Sequence, residues 1–363
     1  MKQIRLLVPL LIIAIIAAIK LSAESAQATV SAPEEKRAEQ VYKNIQVLKG
    51  LPVSQFDSVM AFISGSLGVK CNYCHVNPFE KDDKPAKVTA RKMIQMVFDL
   101  NKGSFNGQGG AITCYTCHRG QPLPVSVPAV GQNLWQPSNA AAKKEEAPLP
   151  TVDQILDRYA EAAGGRAAIG RVTSFVLKGS RVGADGVLVP EEVYAKAPDK
   201  LLVVTSYPNM VFRSGFDGAE GWAQSSRGRA DLNADQLAQL KWDAEFYRPL
   251  KLKDMYSKIA VKGQTTIGDR EAYAIEATTP SGSSEKLYFD AQTGLLVRRY
   301  FESKTALGQL PLQIDYEDYR DVGGFKLPFM VRWSIPGRIW GRKITEARQN
   351  VPLDDAQFSP TAK

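Results

Sequence analysis

Apolar positions along this chain change their period twice. Between Leu6 and Ile19 they run almost unbroken, with only Pro9 intervening. From residue 32 to residue 101 they recur at helical spacing. After residue 151 one further helical stretch gives way to alternation, the period of strands.

The first helical region predicts three helices. Residues 32–49 place Val41, Ile45 and Leu48 on one face, and Gly50 and Pro52 stop the run. A second helix is expected from Ser54, an N-cap residue with Asp57 three positions on, and it carries Phe56, Val59, Met60 and Ile63. Gly65 and Gly68 are expected to end it. A third begins near Thr89, with Met93, Met96, Val97 and Leu100 on its apolar face and a break at Asn101 to Gly103. A glycine-rich loop, Asn106 to Gly110, follows.

Prolines 122, 124, 128 and 137 exclude long helices from the next stretch, and residues 140–150 read as extended chain. Beyond it, a helix from Thr151 to about Ala163 ends at Gly164-Gly165. Leu312, Ile314 and Tyr316 alternate with polar residues, as do Phe325, Leu327, Phe329, Val331, Trp333 and Ile335. Asp185-Gly186, Gly323-Gly324 and Pro336-Gly337 mark turns, and a helical interruption spans about 234–256. The fold class is therefore α+β in two domains. A mostly α domain (29–122) and a linker (123–150) precede an antiparallel sheet with packed helices (151–363). A length of 363 residues agrees with about two domains.

Lys2 and Arg5 before the apolar run, and Ala26-Gln27-Ala28 after it, make residues 1–28 read as a cleaved signal peptide. The run is short against the ~20 residues of a membrane span. An exported, periplasmic protein follows, and a membrane-associated position is compatible. The formal charge of +8 is spread rather than blocked, which argues against nucleic-acid binding. It suits an acidic redox partner or an anionic membrane surface.

The chemistry is concentrated in one stretch. All four cysteines and both histidines lie in two runs, Cys71-Asn72-Tyr73-Cys74-His75 and Cys114-Tyr115-Thr116-Cys117-His118. C-x-x-C-H is the signature of c-type haem attachment: two thiols add to the vinyl groups of one porphyrin, and the histidine becomes the proximal iron ligand. A structural zinc leaves unexplained why a histidine follows both second cysteines. Disulfides are the plain alternative in an exported chain. Two covalently bound haem c groups are thus expected, with Cys71, Cys74, Cys114 and Cys117 as attachment points and His75 and His118 as metal ligands.

With both histidines committed, a thioether is the available sixth ligand. Met60, Met93 and Met96 are the candidates, and spacing does not choose between Met93 and Met96. Arg119 reads either as a partner for a haem propionate or as a solvated surface residue. Tyr73 and Tyr115 are expected to pack on porphyrin.

Cys71 to Gly120 resembles part of the cytochrome c subunit of photosynthetic reaction centres. The likeness lies in CNYCH, in VTARKMIQM at Val88 to Met96, and in TCYTCHRG at Thr113 to Gly120. The resemblance implies a methionine on the helix before each haem run as distal ligand, which assigns Met60 and Met93. That subunit carries four haems in two pairs, whereas this chain has one pair of runs and lacks a histidine between Met96 and Cys114. The resemblance implies a di-haem electron carrier serving a redox protein or a membrane electron-transfer complex such as a photosynthetic reaction centre. Residues 151–363 contain no Cys, no His and no catalytic constellation. More faintly, they resemble the half-open barrels of periplasmic lipoprotein carriers, which implies a lipid or acyl ligand; a docking module is the other reading. The chain is read as a carrier and not an enzyme. The rivals are a peroxidase or quinol-oxidising haem enzyme with an open sixth position, and a lipid-binding β domain tethered to a haem module.

Overall fold

The computed structural model describes residues 35–105, 107, 110–124, 148–183, 185–226 and 228–360. The expected signal peptide and most of the linker lie outside the described residues. Contacts divide the chain into Met1–Lys36 and Arg37–Lys363, and everything below concerns the second unit.

Among the described residues the N-terminal region holds four α-helices: α1 (Ala38–Val41), α2 (Val53–Leu67), α3 (Pro85–Gly103) and α4 (Cys114–His118). The helix expected over 32–49 is not formed: among the described residues only α1 is helical there, and turns and bends follow. The cause is tertiary. Asn44 takes a left-handed φ of 60°, and its amide donates to the Glu80 carbonyl at 2.5 Å and to Asp82 at 3.0 Å. Leu48 and Leu51 still reach the core from this irregular segment.

Helix α2 begins two residues earlier than expected, with Pro52 rather than Ser54 in the cap position and no side-chain cap. It runs through Gly65 and is ended by Gly68 in the left-handed conformation. Gly65 does not terminate the helix because its role is packing: a Cβ there would lie 2.3 Å from Pro336 Cβ. Helix α3 starts at Pro85, four residues before Thr89, with the proline in its first turn where its missing N–H costs nothing.

The C-terminal region is one 13-stranded sheet, antiparallel at every pairing. After α5 (Val152–Ala162) and α6 (Gly165–Ile169) come β1 (Ser174–Val182), β2 (Leu188–Lys196), β3 (Lys200–Tyr207), β4 (Met210–Phe216), β5 (Gly221–Ser225) and β6 (Gly228–Ala230). The expected helical interruption is α7 (Ala234–Ala244), α8 (Arg248–Lys251) and a 3-10 turn at Leu252–Met255. Then follow β7 (Lys258–Ile267), β8 (Arg270–Thr278), β9 (Ser284–Asp290), β10 (Leu296–Thr305), β11 (Gly308–Val322), β12 (Phe325–Ile335) and β13 (Arg338–Gln349). Both halves are meanders, and β1 pairs with β13 to join them in mid-sheet.

One sheet face carries the helices. Ile155, Leu156 and Tyr159 of α5, Ile169 of α6 and Trp242 of α7 pack on Phe175, Leu287, Phe289, Leu296, Ile314 and Val331. The strand residues alternate as expected, each burial contributing roughly 1.5–3 kcal/mol. Capping boxes start α5 at Thr151 with Gln154, and α7 at Asn233 with Gln236. Within this core Glu285 accepts two bonds from Arg299, at 2.6 and 2.8 Å, and one from the Tyr256 hydroxyl at 2.7 Å.

The two regions share a core. Val59, Phe62 and Cys114 cluster with Leu307 and Leu310 from the turn between β10 and β11 and its flank. At Gly308, with a φ of 147°, a Cβ would stand 2.6 Å from the Phe62 ring and 3.0 Å from Thr113. Asn233 at the start of α7 donates to the Ser54 carbonyl at 3.1 Å.

Candidate haem-attachment site

The two runs sit on short helical turns: a 3-10 turn at Cys71–Tyr73 and helix α4. A helical turn brings residues three apart onto one side, which suits a pair of thiols meeting one planar group. Cys71 and Cys117 are exposed, Cys74 is half-buried, Cys114 is buried, and none forms a disulfide. Burial pushes the Cys74 and Cys114 thiols above the ordinary range. Among the described residues no three of His, Cys, Asp and Glu converge into a metal cluster.

Each histidine is oriented in the same way. His75 Nδ1 lies 3.2 Å from the Phe79 carbonyl, and His118 Nδ1 lies 3.0 Å from the Gln121 carbonyl. A carbonyl oxygen only accepts, so these bonds require the proton on Nδ1. That leaves the Nε2 lone pair of each ring for a metal.

The surroundings fit a large apolar group. Among the described residues, eleven of the sixteen exposed large apolar side chains lie between Val41 and Leu123. They include Tyr73, Phe79, Met93, Met96, Leu100 and Tyr115. Apolar surface left uncovered in one region of a chain marks a place where something binds, and porphyrin is of the right chemistry to cover it.

Met60 is half-buried on α2 and packs on the cluster that contains Cys114. On α3 the buried face is Lys87, Ile94 and Val97, not the face through Met93, Met96 and Leu100. Met93 is 38% exposed and Met96 43%. Met96, with Val47, Val88 and Leu100, lines a groove of about 700 Å³, and Met93 is not among its lining residues. Arg119 ends α4 with a left-handed φ of 49°, is exposed, and makes no ion pair among the described residues.

Several residues in the machinery were not anticipated. Lys87 occupies a core position of α3 and donates to the carbonyls of Phe79 at 2.8 Å and Lys81 at 2.7 Å. Asp82 faces Lys87 at 3.1 Å and Arg91 at 2.9 Å. These bonds fold the loop after His75 onto α3. Asn101 clamps the approach to Cys114, accepting from Ile112 N at 3.0 Å and donating to Ile112 O at 2.7 Å. Gly120 N donates to Ser66 O at 2.8 Å, and a Cβ on Gly68 would stand 2.1 Å from Gly120 O. The end of α2, just before the first run, therefore touches the end of the second. The one available signal was Lys87, a charge at core spacing with Ile94 and Val97, which requires a buried partner.

Comparison with known proteins finds relatives for part of the chain. The photosynthetic reaction center cytochrome c subunit of Rubrivivax gelatinosus is 39% identical over 102 residues, 27% of this chain and 28% of that protein. The subunit of Thermochromatium tepidum is 40% identical over 92 residues, 24% and 23% respectively. Cytochrome c-554 of Chloroflexus aurantiacus is 41% identical over 85 residues, 22% and 20%. The matched stretch thus spans under a third of each relative's length. Among solved structures, a LolA superfamily protein from Nitrosomonas europaea aligns at 14% identity and a TM-score of 0.42, covering 58% of this chain and 99% of that one. A DUF1329 family protein from Desulfovibrio piger aligns at 13% and 0.43, covering 57% and 97%. Residues 13–154, which contain both C-x-x-C-H runs, match the family described as photosynthetic reaction centre cytochrome C subunit, so this part of the chain is similar to that family.

Proposed function

We propose that the protein is an exported c-type cytochrome with two haems that passes single electrons between redox partners. The observation that carries this reading is the pair of C-x-x-C-H runs, each with a histidine locked as the Nδ1–H tautomer beside uncovered apolar surface. Bound haem supplies a one-electron ferrous/ferric couple. The chain's own residues do the rest. Cys71 and Cys74 would hold one porphyrin, and Cys114 and Cys117 the other. His75 and His118 would present Nε2 to the iron, and Met60 and Met93 would offer it thioethers. Tyr73, Tyr115 and Leu100 exclude water from the ring faces, and Arg119 is free to pair with a propionate.

With a histidine and a methionine available to each haem, a carrier is favoured over an enzyme, which would need an open position for substrate. The relatives point to a periplasmic-side redox protein or membrane complex as partner, a photosynthetic reaction centre being one such complex. Among the described residues no helix is long and apolar enough to cross a membrane. Residues 29–122 form the cytochrome part and 151–363 a docking part, joined by 123–150.

Intact mass of the purified protein should show two covalent haem additions. The reduced protein should leave carbon monoxide unbound, whereas Met60→Ala and Met93→Ala should each open one site. Carbon monoxide binding by the unaltered protein would refute the carrier reading at that haem.

A further inference from the structure

The two proposed proximal histidines differ in what else bonds to the carbonyl each one faces. The Gln121 carbonyl that accepts from His118 is bonded to no lysine or arginine side chain among the described residues. The Phe79 carbonyl that accepts from His75 is shared with a cation, since the Lys87 ammonium donates to the same oxygen at 2.8 Å. Lys87 is 9% exposed, so its charge is poorly screened. Asp82 answers it at 3.1 Å, but that carboxylate also faces Arg91 at 2.9 Å, which leaves the trio with a net positive charge.

We infer that Lys87 is a positioning residue that raises the midpoint potential at the first haem site and biases electrons towards it. The inference rests on both runs being haem sites. Two effects act in the same direction. A carbonyl already bonded to an ammonium is a weaker acceptor, so it draws the His75 Nδ1 proton less. The imidazole is then less anionic and gives less electron density to the iron, which favours the ferrous state. The buried positive charge also disfavours the extra charge of the ferric state directly. Neither effect operates at His118, where Arg119 is exposed and solvent-screened.

The test is a redox titration of the full-length haem protein and its variants, with paramagnetic proton spectra to assign the sites. Lys87→Met and Lys87→Gln should each lower one of the two midpoint potentials and leave the other unmoved. Lys87→Arg, which keeps the charge, should stay near the original value. Asp82→Asn, which removes the opposing anion, should move the same potential upwards. Loosening of the loop cannot produce shifts of opposite sign from two partners of one ion pair. The His75 Nδ1 proton resonance should move with the potential, and that of His118 should not. An unshifted potential in Lys87→Gln, or equal movement of both haems, overturns the inference. Absence of two haems from the unaltered protein by mass would overturn the underlying haem reading as well, whereas two haems with unmoved potentials overturn this inference alone.

Discussion

Replacing Phe62 by alanine tests whether α2 and the sheet are one cooperative unit. Phe62 is 7% exposed and shares a cluster with Val59, Cys114, Leu307 and Leu310. Its ring occupies the space left by the missing side chain of Gly308. The turn cannot easily collapse into the vacated volume, because Thr305 Oγ1 donates to Gly308 O at 2.7 Å and the β10–β11 register continues from that pair. Removing a buried phenylalanine costs about 3–5 kcal/mol, and a rigid surround points to the middle of that range, about 4 kcal/mol. At 1.4 kcal/mol per tenfold, this is roughly three orders of magnitude in the local folding equilibrium. Urea unfolding should be followed twice, by haem absorbance and by tryptophan fluorescence. Four of the five tryptophans lie in residues 151–363, so the second signal reports the sheet. The two transitions should coincide in the unaltered protein. In Phe62→Ala the haem transition should move down by about 1–2 M, taking a slope of about 2–3 kcal/mol per molar urea, and should separate from the sheet transition. A haem transition displaced by less than about 0.5 kcal/mol would refute the shared core, because that is the size of an ordinary surface substitution.

Two further predictions concern charge. Arg299 is 2% exposed, and its removal by Arg299→Met strands the Glu285 carboxylate with only the Tyr256 hydroxyl, so stability by calorimetry should fall by about 3–5 kcal/mol; the double substitution Arg299→Met with Glu285→Leu should recover most of it. The hydrogen bond from Arg91, then those from Asn44 and Lys87, hold the Asp82 carboxyl well below the ordinary value of 3.8. Its contribution is complete above 3.8 and is lost as the pH falls below that value, so acid titration of stability should show a slope there that Asp82→Asn flattens, and an unchanged slope would count against the network.

The parts legible in the sequence are those whose structure is set locally. Strand β12 was read end to end because Phe325 to Ile335 alternates against a one-sided core. Helix α5 was read from Thr151 to its glycine stop, within a residue of Val152–Ala162. The misread parts are set from a distance. Val41, Ile45 and Leu48 have helical spacing, yet Asn44 turns the chain to reach Glu80 and Asp82. Gly65 has the composition of a terminator, but it is the place where a helix meets Pro336. The haem runs were evident as chemistry, since every cysteine and histidine lies in them. Their orientation was not, because it depends on backbone carbonyls at Phe79 and Gln121, which no side-chain pattern encodes. The joining of β1 to β13 was likewise invisible, being a pairing of residues far apart in the chain.

Helix α2 ties these features together. Phe62 and Gly65, three residues apart, share one side and meet the turns after β10 and β12. Met60 is two residues from Phe62, about 200° around the helix, so it faces nearly away from those turns. The last turn of the helix carries Ser66, whose carbonyl accepts from Gly120, and Gly120 precedes the residue whose carbonyl fixes His118. A helix transmits displacement along its length as a rod, because its backbone bonds leave no soft torsion to absorb a shift. A movement of the sheet turns against Phe62 and Gly65 is therefore carried to Met60 on the other side and to the Gly120 contact at the end. The sheet is thus a frame for the haem region as well as a neighbour of it. A docking role for the sheet then has a physical route to the proposed haem sites: whatever shifts these two turns acts on Met60, proposed as distal ligand of the first, and on the support of His118, proposed as proximal ligand of the second.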